Sequence, residues 1–160
     1  MLKEIFSNEL ILISFTGLII AQILKILTYY ISTKKFDISM AFSSGGMPSS
    51  HSSTVMALST SIGLEYGWGS VYFAIALVFS CLVMYDAAGV RLAVGKQAKI
   101  LNSMIAEIKD GFKKEGLHIF TSKELKTDVK LKEFIGHTKI EVIAGALLGI
   151  LTGAIMSNFL

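Results

Sequence analysis

The chain carries one cysteine, Cys81, and one proline, Pro48, in 160 residues. A lone thiol excludes both an intrachain disulfide and a four-thiolate metal centre. Cys81 lies in an apolar run and reads as a small packed hydrophobe. With a single proline there is no proline-rich linker. Charge is scarce as well: Asp, Glu, Lys and Arg make up 17% of the chain, against about 25% in ordinary soluble domains. What fills the sequence is apolar, 52% by count, gathered into blocks and not alternating. That abundance excludes a disordered chain, which is poor in large apolar residues. The net charge of +3 is confined to segments between the blocks. Such a distribution points to membrane topology and away from nucleic acid. The length suits one domain over 1–160, and nothing in the pattern calls for a cofactor.

Four blocks stand out. In the first, Leu10 to Leu24 are uncharged, Lys25 follows, and Ile26 to Thr33 are again uncharged. A lysine near the end of a span is tolerated because its stem reaches toward the interface. A cleaved signal peptide needs a basic start and a small-residue cleavage site. The run Thr28-Tyr29-Tyr30-Ile31 fits a retained helix instead. The second block follows Pro48, which is expected in the first turn with Ser49 or Ser50 at the cap. From Ser49 to Leu64 it is rich in Ser and Thr, which predicts an interior helix whose hydroxyls bond to itself or its neighbours. The third, Tyr66 to Tyr85, is twenty residues without a formal charge, about the length that spans. Trp68, Tyr72 and Tyr85 fit interfacial anchors. The fourth, Val142 to Leu160, repeats glycine at 145, 149 and 153, a spacing that lets helices approach closely and would also allow self-association.

The segment Arg91 to Gly136 is different, with ten basic and six acidic residues, a net of +4 (10 − 6). Ala98, Leu101, Ile105, Ile108 and Phe112 recur at steps of three and four, predicting one face of an amphipathic helix. A second helix is expected over Ser122–Phe134. This charged helical loop is expected on the membrane surface or beside the bundle. The fold class is therefore all-α, a polytopic membrane bundle of about four spanning helices with an additional amphipathic segment.

Four crossings place the loop near 32–47 and the loop 91–136 on one side, and both termini on the other. Basic residues favour the cytoplasmic face for both loops. Lys25, the Pro48–His51 segment, Asp86 with Arg91, and His137 with Glu141 then arrive at a common depth. Buried ionisable groups are costly unless paired or functional. His137 and Glu141, four apart, share a helix face, and a carboxylate beside an imidazole suits a histidine that attacks phosphorus. His51 can protonate a leaving oxygen. Lys25 and Arg91 can balance phosphate charge, Ser49 and Ser50 with nearby N–H groups can bind its oxygens, and Gly45 and Gly46 let the chain bend around it. Asp86 supports Arg91. Each residue also has a structural reading: a cap or packed polar group for His51, a hydrogen-bonded pair for His137 and Glu141, a snorkelling Lys25, an Arg91–Asp86 pair, and a surface position for His118. His51, His137 and Glu141 can be drawn as metal ligands, but no HExxH spacing supports that and no metal is expected.

At these residues the sequence resembles the divergent PAP2 family, a membrane branch related to type 2 phosphatidic acid phosphatases and vanadium-dependent haloperoxidases. The resemblance runs through Gly45-Gly46-Met47-Pro48-Ser49-Ser50-His51, Tyr85-Asp86-Ala87-Ala88-Gly89-Val90-Arg91, Gly95-Lys96-Gln97-Ala98, Leu101-Asn102, Gly136-His137-Thr138 and Glu141-Val142. It implies His137 as nucleophile, Glu141 as its orienting carboxylate and His51 as general acid. The wider superfamily places Arg-Pro seven residues after its lysine and an arginine six before its nucleophile. Here Ser32-Thr33 and Leu131 stand at those positions, and Arg91 is the only arginine. The expected function is a membrane phosphatase acting on a lipid or isoprenoid phosphate through a phosphohistidine. The competing readings are a non-catalytic protein that binds phosphorylated headgroups or supports assembly, and, with less behind it, a transporter.

Overall fold

The computed structural model describes residues 3, 6–43, 45–114, 131, 133 and 135–159. Its elements are α1 (Glu9–Thr33), a short 3-10 helix (Ile38–Phe42), α2 (Ser50–Tyr66), α3 (Val71–Ala88), α4 (Val90–Lys114) and α5 (Lys139–Met156).

Asn8 starts α1 by accepting a hydrogen bond from the Ile11 N–H at 3.1 Å, the usual way to satisfy a free amide of the first turn. Lys34, at φ 57, ends it. At 1.5 Å per residue such a helix is about 37 Å long, more than the roughly 30 Å hydrocarbon layer. Ile13, Gly17, Ala21 and Lys25, each four residues on, form its buried stripe. Phe15, Ile19, Ile23 and Leu27 face outward, the apolar surface that lipid requires.

Ser49 caps α2, with Pro48 one residue before the cap and not in the first turn. Helix α2 packs against α1, α3 and α5. Its serines are buried and joined to neighbours: Ser53 Oγ donates to Gly17 O at 2.9 Å, and Ser59 shares a 2.8 Å hydrogen bond with Ser80 of α3. Three stretches among the described residues are long and apolar enough to cross a membrane: Glu9–Thr33, Val71–Ile108 (which takes in α3 and continues into α4) and Lys139–Met156. Helix α2 is not one of them. At 17 residues it spans about 25 Å, and protein surrounds it where lipid would not tolerate its hydroxyls. The chain is thus a polytopic integral membrane protein built around a hydroxyl-rich central helix.

Helices α3 and α5 complete the shell. Ser70 caps α3, and only Ala76, Ser80 and Ala87 of α3 are buried. The Trp68 ring meets Phe73 edge-on at 5.0 Å and fills the space beside Gly63, where a Cβ would collide with it. On α5, Cβ atoms at positions 145, 149 and 153 would strike the carbonyls of Ser49, Ser53 and Ala57. The glycine repeat therefore seats α5 on α2. This is the face expected to permit self-association, and α2 of the same chain occupies it.

Helix α4 begins directly after α3, separated by Gly89 at φ −108, ψ −89, which breaks the helical path. Among the described elements it packs only against α3, so it does not lie beside the bundle. Of its expected apolar face, Ala98 is buried, but Leu101, Ile105 and Ile108 are exposed. The Phe112 side chain, His118 and residues 122–130, 132 and 134 of the helix expected over Ser122–Phe134 lie outside the described residues, and Leu131 and Glu133, which are described, are not helical.

Candidate functional site

The antiparallel order brings the C-terminal half of α1, the start of α2, the end of α3 and the start of α5 to one end of the bundle. A strap formed by 131, 133 and 135–138 runs back along α4 and delivers His137 there. Asn102 holds the strap: its Nδ2 donates to Leu131 O at 2.9 Å and to Glu133 Oε1 at 2.8 Å, while its Oδ1 accepts from Leu131 N at 3.1 Å. Gly95 allows the close approach, since a Cβ there would sit on the Ile135 and Glu133 carbonyls. Gly136, at φ +86, lies against the backbone of Arg91 and Leu92. The strap ends with His137 N donating to Ala87 O at 2.9 Å.

Helix α5 then opens with a capping box. Thr138 accepts from Glu141 N, and Glu141 Oε2 accepts from Thr138 N at 3.1 Å. The same Oε2 lies 3.0 Å from His137 Nδ1. An ionised carboxylate only accepts, so Nδ1 carries the proton and Nε2 holds the lone pair. The His137 side chain is 2% exposed, and its Nε2 is buried without a hydrogen-bond partner. The Gly46 backbone beside the ring favours its charged form. Burial holds the His137 imidazole below the ordinary histidine range; the hydrogen bond and charge of Glu141 oppose this, and Lys25 adds to the lowering. The ring is neutral at pH 7, with one nitrogen oriented and the other available.

His51 comes from the first turn of α2, and its ring centroid lies 6.3 Å from that of His137 at an interplanar angle of 63°. Lys25, Arg91 and Asp86 are within electrostatic reach of His51. Arg91 Nε donates to Asp86 Oδ2 at 2.5 Å, and both side chains are nearly half exposed. Lys25 is 1% exposed. It does not snorkel: its Nζ donates to Ser43 O at 3.0 Å, and its stem lies against Gly46, whose φ of +100 and missing Cβ make that contact possible. Thr28 Oγ1 ties the same loop to α1 by donating to the Met47 carbonyl. A cavity of about 280 Å³, lined by Lys25, Thr28, Tyr29, Ser32, Met40, Gly46 and Met47, adjoins this loop. Neither histidine lines it.

Ser49 takes the cap position expected for Ser49 or Ser50. Ser49 is fully buried. Its Oγ accepts from Ser52 Oγ at 3.0 Å and caps α2, while its N–H donates to Glu141 O at 3.0 Å. Ser50 is 3% exposed, and Gly45 is buried with its carbonyl accepting from Ser43 Oγ. These residues shape the loop and dock α2 on α5. Among the described residues no cluster of three or more His, Cys, Asp or Glu groups is placed to hold a metal. Sequence reasoning missed two contributors. Thr138-x-x-Glu141 carries a visible capping-box signature. Asn102, a polar residue within the helix, makes its hydrogen bonds to a segment 29 and 31 residues away, which no local pattern reveals.

A family model described as the divergent PAP2 family matches residues 6–152. The chain is 39% identical over 156 residues to a Bacillus subtilis (strain 168) protein called uncharacterized membrane protein YuiD, covering 98% of each. No solved structure matches the chain.

Proposed function

The chain belongs to the divergent PAP2 family, and from that premise we propose that it is a membrane phosphatase that hydrolyses a lipid or isoprenoid phosphate through a phosphohistidine, with its site at the cytoplasmic face. One observation carries this reading: His137 has Nδ1 fixed by Glu141, has Nε2 buried and unpartnered, and has a second histidine ring 6.3 Å away, centroid to centroid.

In the first step the Nε2 lone pair attacks phosphorus and the P–O ester bond breaks. The leaving alkoxide takes a proton from His51, whose charged form the substrate phosphate favours against burial and the Arg91, His137 and Lys25 charges, and Glu141 stabilises the positive charge on the phosphorylated ring. In the second, neutral His51 accepts a proton from water as its oxygen attacks phosphorus. The P–N bond breaks, inorganic phosphate leaves, and both histidines return to their starting states. Arg91 supplies the donor fork for the phosphoryl oxygens by exchanging Asp86 for substrate. Lys25, held on the Ser43 carbonyl, contributes positive potential from below.

The alternative is a non-catalytic protein that binds a phosphorylated headgroup. Its supporting observation is that Ser32-Thr33 and Leu131 stand where the wider superfamily has its phosphate-clamping arginines. Purified protein in lipid vesicles, assayed for phosphate release from a panel of lipid and isoprenoid phosphates, separates the two. The phosphatase reading expects release that His137→Ala abolishes and that His51→Ala slows by about 10²–10⁴, with an acid-labile phosphate adduct on His137. Binding that survives His137→Ala, with no turnover on any member of the panel, supports the alternative.

A further inference from the structure

The exposed face of α4 is independent of the histidine site and of any activity there. Leu101, Ile105 and Ile108 point outward with Val94, and Ile100 and Met104 extend the patch along one edge. The strap does not cover it. Gly95 and Asn102, which seat the strap, lie roughly 100° around the helix from the centre of this face. Soluble proteins seldom leave a continuous apolar strip in water.

Two observations identify what covers it. Helix α4 starts one residue after the spanning helix α3 ends, so its first turns are held at the membrane boundary. Between Val90 and Lys114 the chain has six basic residues against Glu107 and Asp110, a net of +4 (6 − 2), with Lys99 on the side opposite the apolar strip. An apolar strip backed by basic residues, starting at the boundary, fits an interfacial helix on an anionic surface.

We propose that α4 lies in the headgroup layer of an anionic leaflet, with Leu101, Ile105 and Ile108 immersed and Lys99 in water. The full-length protein carrying Cys81→Ala, with single spin labels at Leu101→Cys, Ile105→Cys, Ile108→Cys, Lys99→Cys, Ser103→Cys or Ala106→Cys, tests this in phosphatidylglycerol-containing vesicles. The expected result is oxygen accessibility severalfold higher at 101, 105 and 108 than at 99, 103 and 106, with the reverse order for a water-soluble nickel reagent. A fluorophore at the same six positions, quenched by brominated acyl chains, gives the same ordering without relying on one probe. Water-like accessibility at all six positions overturns the proposal. So does dipolar broadening at 105 or 108 that dilution with unlabelled protein relieves, because a second copy then covers the face. A contrast between the two faces that is unchanged when phosphatidylcholine replaces phosphatidylglycerol overturns the assignment to an anionic leaflet.

Discussion

Glu141 holds two positions at once, and Glu141→Gln separates them. As the fourth member of the capping box it accepts from Thr138 N; as a carboxylate it accepts from His137 Nδ1. Glutamine preserves the box, since either side chain serves there, but removes the charge. Hydrogen bonds to charged groups contribute about 1.5–3 kcal/mol and neutral ones about 0.5–1.5. The loss opposite a phosphorylated, positively charged imidazole is therefore about 1–2 kcal/mol, which at 1.36 kcal/mol per decade is roughly a 5–30-fold fall in turnover. Thr138→Ala is the counterpart, breaking the cap at about 0.5–2 kcal/mol of stability while keeping the carboxylate. Turnover and detergent-phase melting temperature should then dissociate: Glu141→Gln lowers the first with little change in the second, and Thr138→Ala mainly the second. A readout free of turnover is the titration of His137 by NMR. Glu141 favours the charged ring, so its replacement moves the His137 pKa further down. Equal turnover in the two variants with an unmoved His137 titration would reduce Glu141 to a cap and remove its role in orienting the imidazole.

Three more outcomes are expected. Asn102→Ala deletes three hydrogen bonds to the strap, each worth about 0.5–1.5 kcal/mol net; the protein should melt earlier and His137 should react faster with diethylpyrocarbonate. Gly149→Ala sets a methyl against the Ser53 carbonyl and should cost about 1–3 kcal/mol by overpacking, whereas Leu147→Ala on the exposed side of α5 should stay within about 0.5 kcal/mol, as melting in detergent would show. Because burial holds the folded pKa of His137 below its unfolded value, the unfolded chain binds the extra proton. The stability linked to this ring is full above the ordinary histidine pKa and is lost as pH falls below it. Melting temperature measured from pH 8 downward should drop more in the parent than in His137→Gln.

The lipid-facing helices were legible because their requirement is compositional: about 20 apolar residues must run together, and α1, α3 and α5 meet it. The interior position of α2 was legible for the opposite reason, since Ser53, Ser59 and Ser61 have no place in hydrocarbon. Convergence of His51 and His137 followed from alternating helix direction alone. Side-chain roles were less accessible. Ser49 matched both a helix cap and an anion-binding pattern and serves as the cap, and Lys25 matched a snorkelling one but turns inward to a loop carbonyl. In both cases the deciding partner is distant in sequence or supplied by a backbone group that every residue has. The steps of three and four in α4 correctly announced a helix with an apolar side, but periodicity does not say whether protein or lipid meets it.

The hydroxyl-rich α2 also constrains how the chain enters a bilayer. A segment with that many serines partitions poorly into acyl chains by itself, and the carbonyls of Ser49, Ser53 and Ala57 find close cover in the glycine groove of α5, which emerges after α2 and α3 during synthesis. Biogenesis therefore cannot complete helix by helix. The early segments must wait, shielded by the insertion machinery or by one another, until α5 arrives to cover α2.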